Sequence, residues 1–225
     1  MKKLIIAIDG PSGAGKGTIS GAVARTLGYR HIDTGAMYRA VGWKAHHDGI
    51  PLDDEESVGA LAQRADLRVE GGIVVIDGHD VTSAIRTPEV DQLASRVAKL
   101  PQVRLALVSR QRALGAGGGI VMEGRDITSV VFPDADVKIY LDASAEERAR
   151  RRAGDAAHAG SQSSQAAVAA AIQARDTLDT RRTASPLTLA PGAVRIDTTS
   201  MPIDEVVGRV LDLVSAKIEA SDGHV

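Results

Sequence analysis

Hydrophobic residues fall into short runs separated by longer stretches of helical spacing. Apolar runs stand at Leu4–Ile8, Ile120–Met122, Val137–Leu141 and Val194–Ile196, and His31-Ile32 is a weaker fifth. Runs of this length bounded by turn residues read as buried strands. Strands that alternate with helices predict an α/β fold, with a parallel five-stranded sheet and helices on both faces. Ile19, Ala22, Val23 and Leu27 share one helical face, and Gly28 is placed to end that helix. Further helices are expected at about Glu55–Ala65, Glu89–Lys99 and Val103–Leu114, the last stopped by Gly115 and Gly117-Gly118-Gly119. Between Glu55–Ala65 and Glu89–Lys99 the period changes. Leu67–Glu70 and Ile73–Ile76 flank Gly71-Gly72, a hairpin signal. It predicts a small antiparallel insertion on the main sheet. Residues 154–165 are small and polar and read as either a linker or a mobile lid. Ser221–Val225 are expected to fray. The chain shows no internal repeat.

Ligands of parallel α/β sheets sit at the carboxyl ends of the strands. The residues following the first run are Gly10-Pro11-Ser12-Gly13-Ala14-Gly15-Lys16-Gly17-Thr18, and a helix follows them. This is a phosphate-cradling P-loop. Glycines let the backbone curl so that successive N–H groups face a polyphosphate, and the helix N-terminus adds its positive end. Lys16 contributes a mobile point charge. The residue after Lys16 is Gly17, and the hydroxyl comes one place later at Thr18. The usual direct hydroxyl–magnesium contact is therefore altered, leaving a metal held mainly by phosphates and water. Other strand ends carry Asp33-Thr34-Gly35, Glu123-Gly124-Arg125-Asp126 and Asp142. Each acid alone fits a helix cap or turn. Together with the P-loop they converge on one crevice.

Composition narrows the chemistry. The chain has 225 residues, a net charge of −2, 2% aromatics and no cysteine. One domain accommodates that length. Scarce aromatics and the lack of basic excess argue against nucleic-acid binding. The absence of cysteine excludes disulfides and thiolate metal sites and is compatible with the cytoplasm. The initial apolar run is too short for a signal peptide and is broken by Asp9. No stretch approaches the ~20 apolar residues a membrane span needs. A soluble, cytoplasmic protein, with nothing demanding more than a monomer, is the expectation.

Moving a phosphoryl group spreads negative charge, and arginines stabilise it. The chain supplies Arg39, Arg125, Arg148, Arg151, Arg152, Arg175, Arg181 and Arg182 near strand ends and the lid candidate. Any one of them alone reads as a solvated surface residue.

Several ordered motifs carry a resemblance. They are Asp33-Thr34-Gly35-Ala36-Met37-Tyr38-Arg39, Ile85-Arg86-Thr87-Pro88-Glu89-Val90, Glu123-Gly124-Arg125-Asp126, Val131-Phe132-Pro133-Asp134-Ala135, Lys138 to Ser144, and Arg175-Asp176 with Asp179, Arg182 and Ser185-Pro186-Leu187. From about Lys3 to Ile218 the chain resembles the bacterial cytidylate kinases, a family of P-loop nucleoside monophosphate kinases. The resemblance implies a single P-loop kinase domain over 1–225, with a monophosphate-binding insertion at 36–98 and a lid at 151–165. It implies transfer of the ATP γ-phosphoryl group to CMP or dCMP, with Mg²⁺, by direct in-line attack.

The resemblance also implies residue roles. Ser95, Arg104 and Asp126 align with cytosine-reading positions, and Arg175 and Asp179 with positions near the sugar. Arg39, Arg125 and Arg182 align around the monophosphate, with Thr34 and Tyr38 in the same signature. Arg148 and Arg151 belong to the lid-helix pattern over the donor phosphates. Lys16, Arg125, Arg148, Arg151 and Arg182 are the catalytic candidates. The P-loop holds ATP, and Thr18 and Glu123 are the magnesium-side candidates, Glu123 standing where Asp is common. The base assignment also has a chemical footing. Cytosine offers an amino donor at N4 and acceptors at N3 and O2, which suit a carboxylate and an arginine or hydroxyl; uracil would meet Asp126 oxygen to oxygen. Asp126 as a plain cap of the next turn is the alternative. The rivals for function are a related kinase acting on another monophosphate (UMP, AMP, GMP) or on a non-nucleotide acid, and a nucleotide-binding module without turnover.

Overall fold

The computed structural model describes residues 3–154, 165–182 and 185–222. The central strand β1 (Ile5–Asp9) pairs in parallel with β6 (Ile120–Gly124) on one side and β7 (Val137–Asp142) on the other. β2 (Arg30–Asp33) extends the sheet beyond β6, and β8 (Val194–Asp197) beyond β7. The five-stranded order is β2-β6-β1-β7-β8. The weak His31-Ile32 run is thus an edge strand.

Side chains alternate across the sheet, which splits the strands between two cores. Ile6, Ile8, Val121, Ile139 and Leu141 pack with Ile19 and Val23 of α1 (Lys16–Leu27) and Val206, Val210 and Val214 of α8 (Ile203–Asp222). Ala7, Ile120 and Met122 face the other way, against Val108 of α5 (Pro101–Gly115) and Ile127 and Val131 of a π-helical turn (Ile127–Val131). Ala24, rather than Ala22, completes the buried stripe of α1.

A third core, from Ala36 to Leu107, joins α2 (Thr34–His47), α3 (Glu55–Arg64), α4 (Pro88–Val97) and α5. Asp33 Oδ1 caps α2 by accepting from the Ala36 N–H at 3.1 Å. Thr87 caps α4, with Pro88 in its first turn. Strands β3 (Leu67–Glu70) and β4 (Ile73–Ile76) form the expected hairpin, with Gly71 and Gly72 at φ 59° and 83°. A short β5 (His79–Asp80) adds a third strand. The hairpin therefore forms a sheet of its own and does not extend the main one.

After β7 come α6 (Ala145–Ala153) and α7 (Gln165–Arg181). Most of the expected lid, residues 155–164, lies outside the described residues. The expected fraying at Ser221–Val225 is corrected in part, because α8 runs to Asp222; residues 223–225 lie outside the description.

Gly10 is where the fold leaves no room. A Cβ there would sit 2.0 Å from the Leu141 carbonyl oxygen, and φ is 153°. The loop can leave β1 toward the ligand edge only because that methyl is missing. Gly10→Ala is expected to lower stability by about 1–3 kcal/mol, the usual scale of overpacking. Urea unfolding followed by circular dichroism measures it, and an unchanged midpoint would contradict the close approach.

Candidate active site

All five parallel strands end at one edge, so their following residues meet there. The cavity at this edge is about 1140 Å³. Of the residues given a catalytic or binding role from the sequence, all but Gly10, Pro11 and Arg148 line it; the strand-end Asp142 and Arg181 do not. The lining includes nine arginines and Lys16 against five carboxylates, on a chain whose net charge is −2. Positive charge is therefore concentrated here, as an anion-binding cleft requires.

The P-loop end is built around Lys16, which is 8% exposed. Its ammonium donates to the Pro11 carbonyl at 2.8 Å. Burial, then the nearby Arg125 guanidinium, pulls its proton affinity down to about 7. Gly13 and Gly15 hold φ of 79° and 89°, the left-handed turns that curl the loop.

Arg148 braces this loop from behind. Its Nη1 donates to the Ser12 carbonyl at 3.1 Å, its Nε to the Ala143 carbonyl at 3.0 Å, and Asp176 pairs with the same guanidinium. Arg151 faces the cavity instead. It donates to Glu147 and to both the hydroxyl and the carbonyl of Thr198.

The opposite end holds Asp126 and Arg104, both buried and paired with each other. The Arg104 guanidinium lies 5.9 Å from the Tyr38 ring centroid, within cation–π range. Burial pushes the Tyr38 phenol up to about 12, so it stays a neutral donor. Asp126 precedes the π-helical turn but makes no capping bond to it. That task falls to Asp9, whose carboxylate accepts from the N–H groups of Ile127 and Thr128 at 2.9 and 2.8 Å and from the Thr128 hydroxyl. Burial raises the Asp9 carboxyl despite these bonds. The effect is to leave Asp126 available to a ligand. Ser95 lines the same end; its hydroxyl donates back to the Asp91 carbonyl at 3.0 Å.

Between the two ends stand Arg39, Arg125, Arg175 and Arg182. Arg125 Nε donates to Asp179 at 2.8 Å, and Arg182 Nε reaches the Asp179 carbonyl at 3.4 Å. Arg39 is shared by Asp91 at 2.9 Å and Asp33 at 3.5 Å. Burial alone would raise the Asp33 carboxyl, but Arg39 and the Ala36 N–H hold it below its ordinary value. Arg175 is pulled down to about 10 by burial and by Arg125. Three buried guanidinium nitrogens, Arg104 Nη1, Arg175 Nε and Arg182 Nη2, have no hydrogen-bond partner among the described residues. A buried donor left in this way costs free energy until an acceptor arrives.

Glu123, buried at the end of β6, meets His31 Nε2 at 2.8 Å. Pairing with Glu123 raises the His31 imidazole although burial opposes it. A Cβ on Gly17 would lie 3.4 Å from the Glu123 carboxylate, so the glycine after Lys16 makes room for this acid. Thr34 donates its hydroxyl to the Glu123 carbonyl at 2.7 Å, which fixes the strand end. Among the described residues no three acidic or histidine side chains form a metal cage. Mg²⁺ keeps its waters and binds through one or two carboxylates plus substrate phosphates. Glu123 and the exposed Thr18 hydroxyl, both on the cavity, are the side chains suited to such an ion.

Several residues in and behind the cavity wall escaped the sequence reading. Thr198 follows β8, a strand end that the motif pattern did not cover, and Met201, Pro202 and Ile203 continue from it along the wall, Ile203 being 54% exposed. Asp91, which stands behind the wall and pairs with Arg39, lies one residue beyond a quoted motif. Looking past every apolar run for polar residues would have found Thr198. Nothing local marks Asp91.

The comparisons with known proteins agree with this geometry. The chain is 48% identical over 221 residues to a cytidylate kinase of Desulfitobacterium hafniense (strain Y51), covering 97% of this chain and 95% of that one. It is 46% identical over 209 residues to a cytidylate kinase of Caldanaerobacter subterraneus subsp. tengcongensis, with 93% of each covered. Among solved structures, a gluconokinase from Sinorhizobium meliloti 1021 superposes with a TM-score of 0.51 at 15% identity, over 100% of this chain and 98% of that one, which speaks for the fold alone. The cytidylate kinase family profile matches residues 6–216. With the P-loop, the arginine-lined cleft and the buried Asp126–Arg104 pair in place, the chain belongs to the cytidylate kinase family.

Proposed function

We propose that this protein transfers the γ-phosphoryl group of ATP to CMP or dCMP, giving ADP and CDP or dCDP. The observation that carries this reading is one cavity with Lys16 at one end and the buried Asp126–Arg104 pair at the other. Two anionic nucleotides fit such a cleft end to end, phosphate toward phosphate.

ATP lies with its phosphates in residues 10–18 and its base toward Met201, Pro202 and Ile203. The acceptor's cytosine presents its amino group to Asp126 and its ring acceptors to Arg104 and Ser95. Tyr38 packs beside Arg104. Its sugar meets Arg175 and Asp179, and its phosphate meets Arg39, Arg125 and Arg182. Segment 36–98 serves as the acceptor-binding insertion, within one kinase domain spanning 1–225, and 151–165 as a lid.

Transfer is direct. The chain has no cysteine, His46, His47 and His79 stay off the cavity lining, and His31, which is on it, has its Nε2 engaged by Glu123. The acceptor is already an anion, so positioning and charge stabilisation carry the rate. Lys16, Arg125 and Arg182 stabilise the moving phosphoryl group, with Arg151 from α6. Arg148 acts earlier, by holding the Ser12 end of the loop in shape. Mg²⁺, bound with the phosphates, supplies charge neutralisation, and Thr18 and Glu123 are the side chains to hold it or its waters. Lid closure excludes water and suppresses hydrolysis. We place the protein in the cytoplasm as a monomer acting on small nucleotides. No described helix is long and apolar enough to cross a membrane.

An ADP-release assay across all ribo- and deoxyribonucleoside monophosphates tests the assignment. CMP and dCMP should lead, and a preference for AMP or UMP would overturn it. Lys16→Met should cut kcat by orders of magnitude with the fold intact; full turnover in a folded variant would refute the scheme. Asp126→Ala should lower kcat/KM for CMP by roughly tenfold to a hundredfold, the scale of a lost charged hydrogen bond. The same change should narrow the CMP/UMP ratio and leave ATP binding alone. An unchanged ratio removes Asp126 from base reading.

Lys16 adds a pH prediction. Its ammonium, ordinarily near 10.5, is held at about 7 in the free protein. Polyphosphate favours the charged form, so ATP binding above pH 7 takes up a proton. Affinity should therefore fall as pH rises from about 7 toward 10. Calorimetry at pH 8 in buffers of different ionisation enthalpy reads the uptake, which should vanish in Lys16→Met.

A further inference from the structure

Asp91 belongs to no motif read from the sequence, yet three arginines from three other elements converge on it. Its Oδ1 accepts from Arg39 Nε at 2.9 Å and lies 3.2 Å from Arg175 Nη1. Its Oδ2 accepts from Arg152 Nη2. Arg39 comes from α2, Arg152 from the end of α6 and Arg175 from α7. All three line the cavity. The Asp91 side chain is 14% exposed, and these arginines hold its carboxyl far below the ordinary value although burial opposes them.

A first-turn acid on α4 is ordinary, since it complements the helix dipole. That accounts for an acid at this position. It does not account for arginines gathered from α2, α6 and α7. Asp33 also reaches Arg39, at the longer distance of 3.5 Å, and Arg175 Nε remains buried without a hydrogen-bond partner among the described residues. That unmet donor, beside guanidinium groups lining the cavity, suits an incoming anion. A phosphate arriving at Arg39 meets a guanidinium already engaged by a carboxylate, and two anions at one guanidinium repel each other.

We propose that Asp91 is a positioning residue that acts as an internal counter-anion: it holds Arg39 and Arg175 until the acceptor nucleotide takes them over. The inference rests on the reading above, in which the acceptor's phosphate reaches Arg39 and its sugar Arg175. Acceptor binding is then an exchange of anions, and its affinity is set below what the arginines alone would give. This suits turnover, because holding the ground state more tightly adds nothing to the chemical step.

Asp91→Asn keeps the side chain's shape and removes its charge. Calorimetry at low salt should show CMP binding at least fivefold tighter in Asp91→Asn, with ATP affinity unchanged and Asp91→Glu returning toward the parent value. A merely structural role predicts weaker binding instead. Unchanged or weaker CMP binding in a folded Asp91→Asn protein, or equal tightening of ATP, overturns the proposal. Should that variant fail to fold, the unmodified protein decides. Its Arg39 Nε–H resonance, bonded to Asp91 without ligand, must shift when CMP is added, and a resonance that stays in place overturns the exchange. If the unmodified protein binds no CMP, the functional reading fails by itself, and the Arg39 resonance followed through a titration with inorganic phosphate tests the exchange independently of it.

Discussion

Packing several guanidinium groups into one half-buried cleft is the constraint around which this protein is organised. Like charges at such range repel strongly where water is scarce. The structure answers with carboxylates delivered from different elements: Asp33 at the end of β2, Asp91 on α4, Asp126 beyond β6, and Asp176 and Asp179 on α7. Each carboxylate holds an arginine in position and lowers the cost of burying it. Removing an acid therefore changes more than one contact, because its arginine is left buried and unpaired. The balance is incomplete: among the described residues, Arg104 Nη1, Arg175 Nε and Arg182 Nη2 are buried without an acceptor.

The sheet makes this concentration of charge possible. Its strands are parallel, so every strand end opens on the same edge. The register sets Asp33 beside Glu123 and Asp9 beside Gly124. Asp9 shows how a residue behind the cavity shapes its wall. By capping the π-helical turn it takes the role a reader would give to Asp126, and Asp126 remains paired with Arg104 instead. The Asp126 carboxylate is thus not spent on its own backbone, because another acid does that work.

The same logic separates the four arginines of α6. Arg148, Arg150, Arg151 and Arg152 look alike in a basic run. Successive residues turn by about 100° around a helix, so each meets different surroundings. Arg148 turns inward and braces Ser12. Arg150 stays largely exposed on Glu147 at the cavity rim. Arg151 reaches Thr198, and Arg152 reaches Asp91. One segment thus contributes a structural brace and three cavity-lining arginines, one of them in an exposed ion pair at the rim.

The apolar runs, the glycine-rich loop after the first of them and the Gly71-Gly72 hairpin were legible from the chain alone. Those features depend on local periodicity and on backbone conformations that few residue types adopt, and both are written in neighbouring positions. The ordered motifs also pointed to the family and to most of the cavity lining. The strand order, the separation of the hairpin into its own sheet, the position of Thr198 and the role of Asp9 were decided only by the folded chain. So were the convergence of Arg39, Arg152 and Arg175 on Asp91 and the turning of Arg148 away from the cavity. Each depends on residues tens of positions apart being brought within hydrogen-bond distance. No local pattern encodes which distant carboxylate a guanidinium will meet, because that partner is chosen by how the helices pack around the sheet.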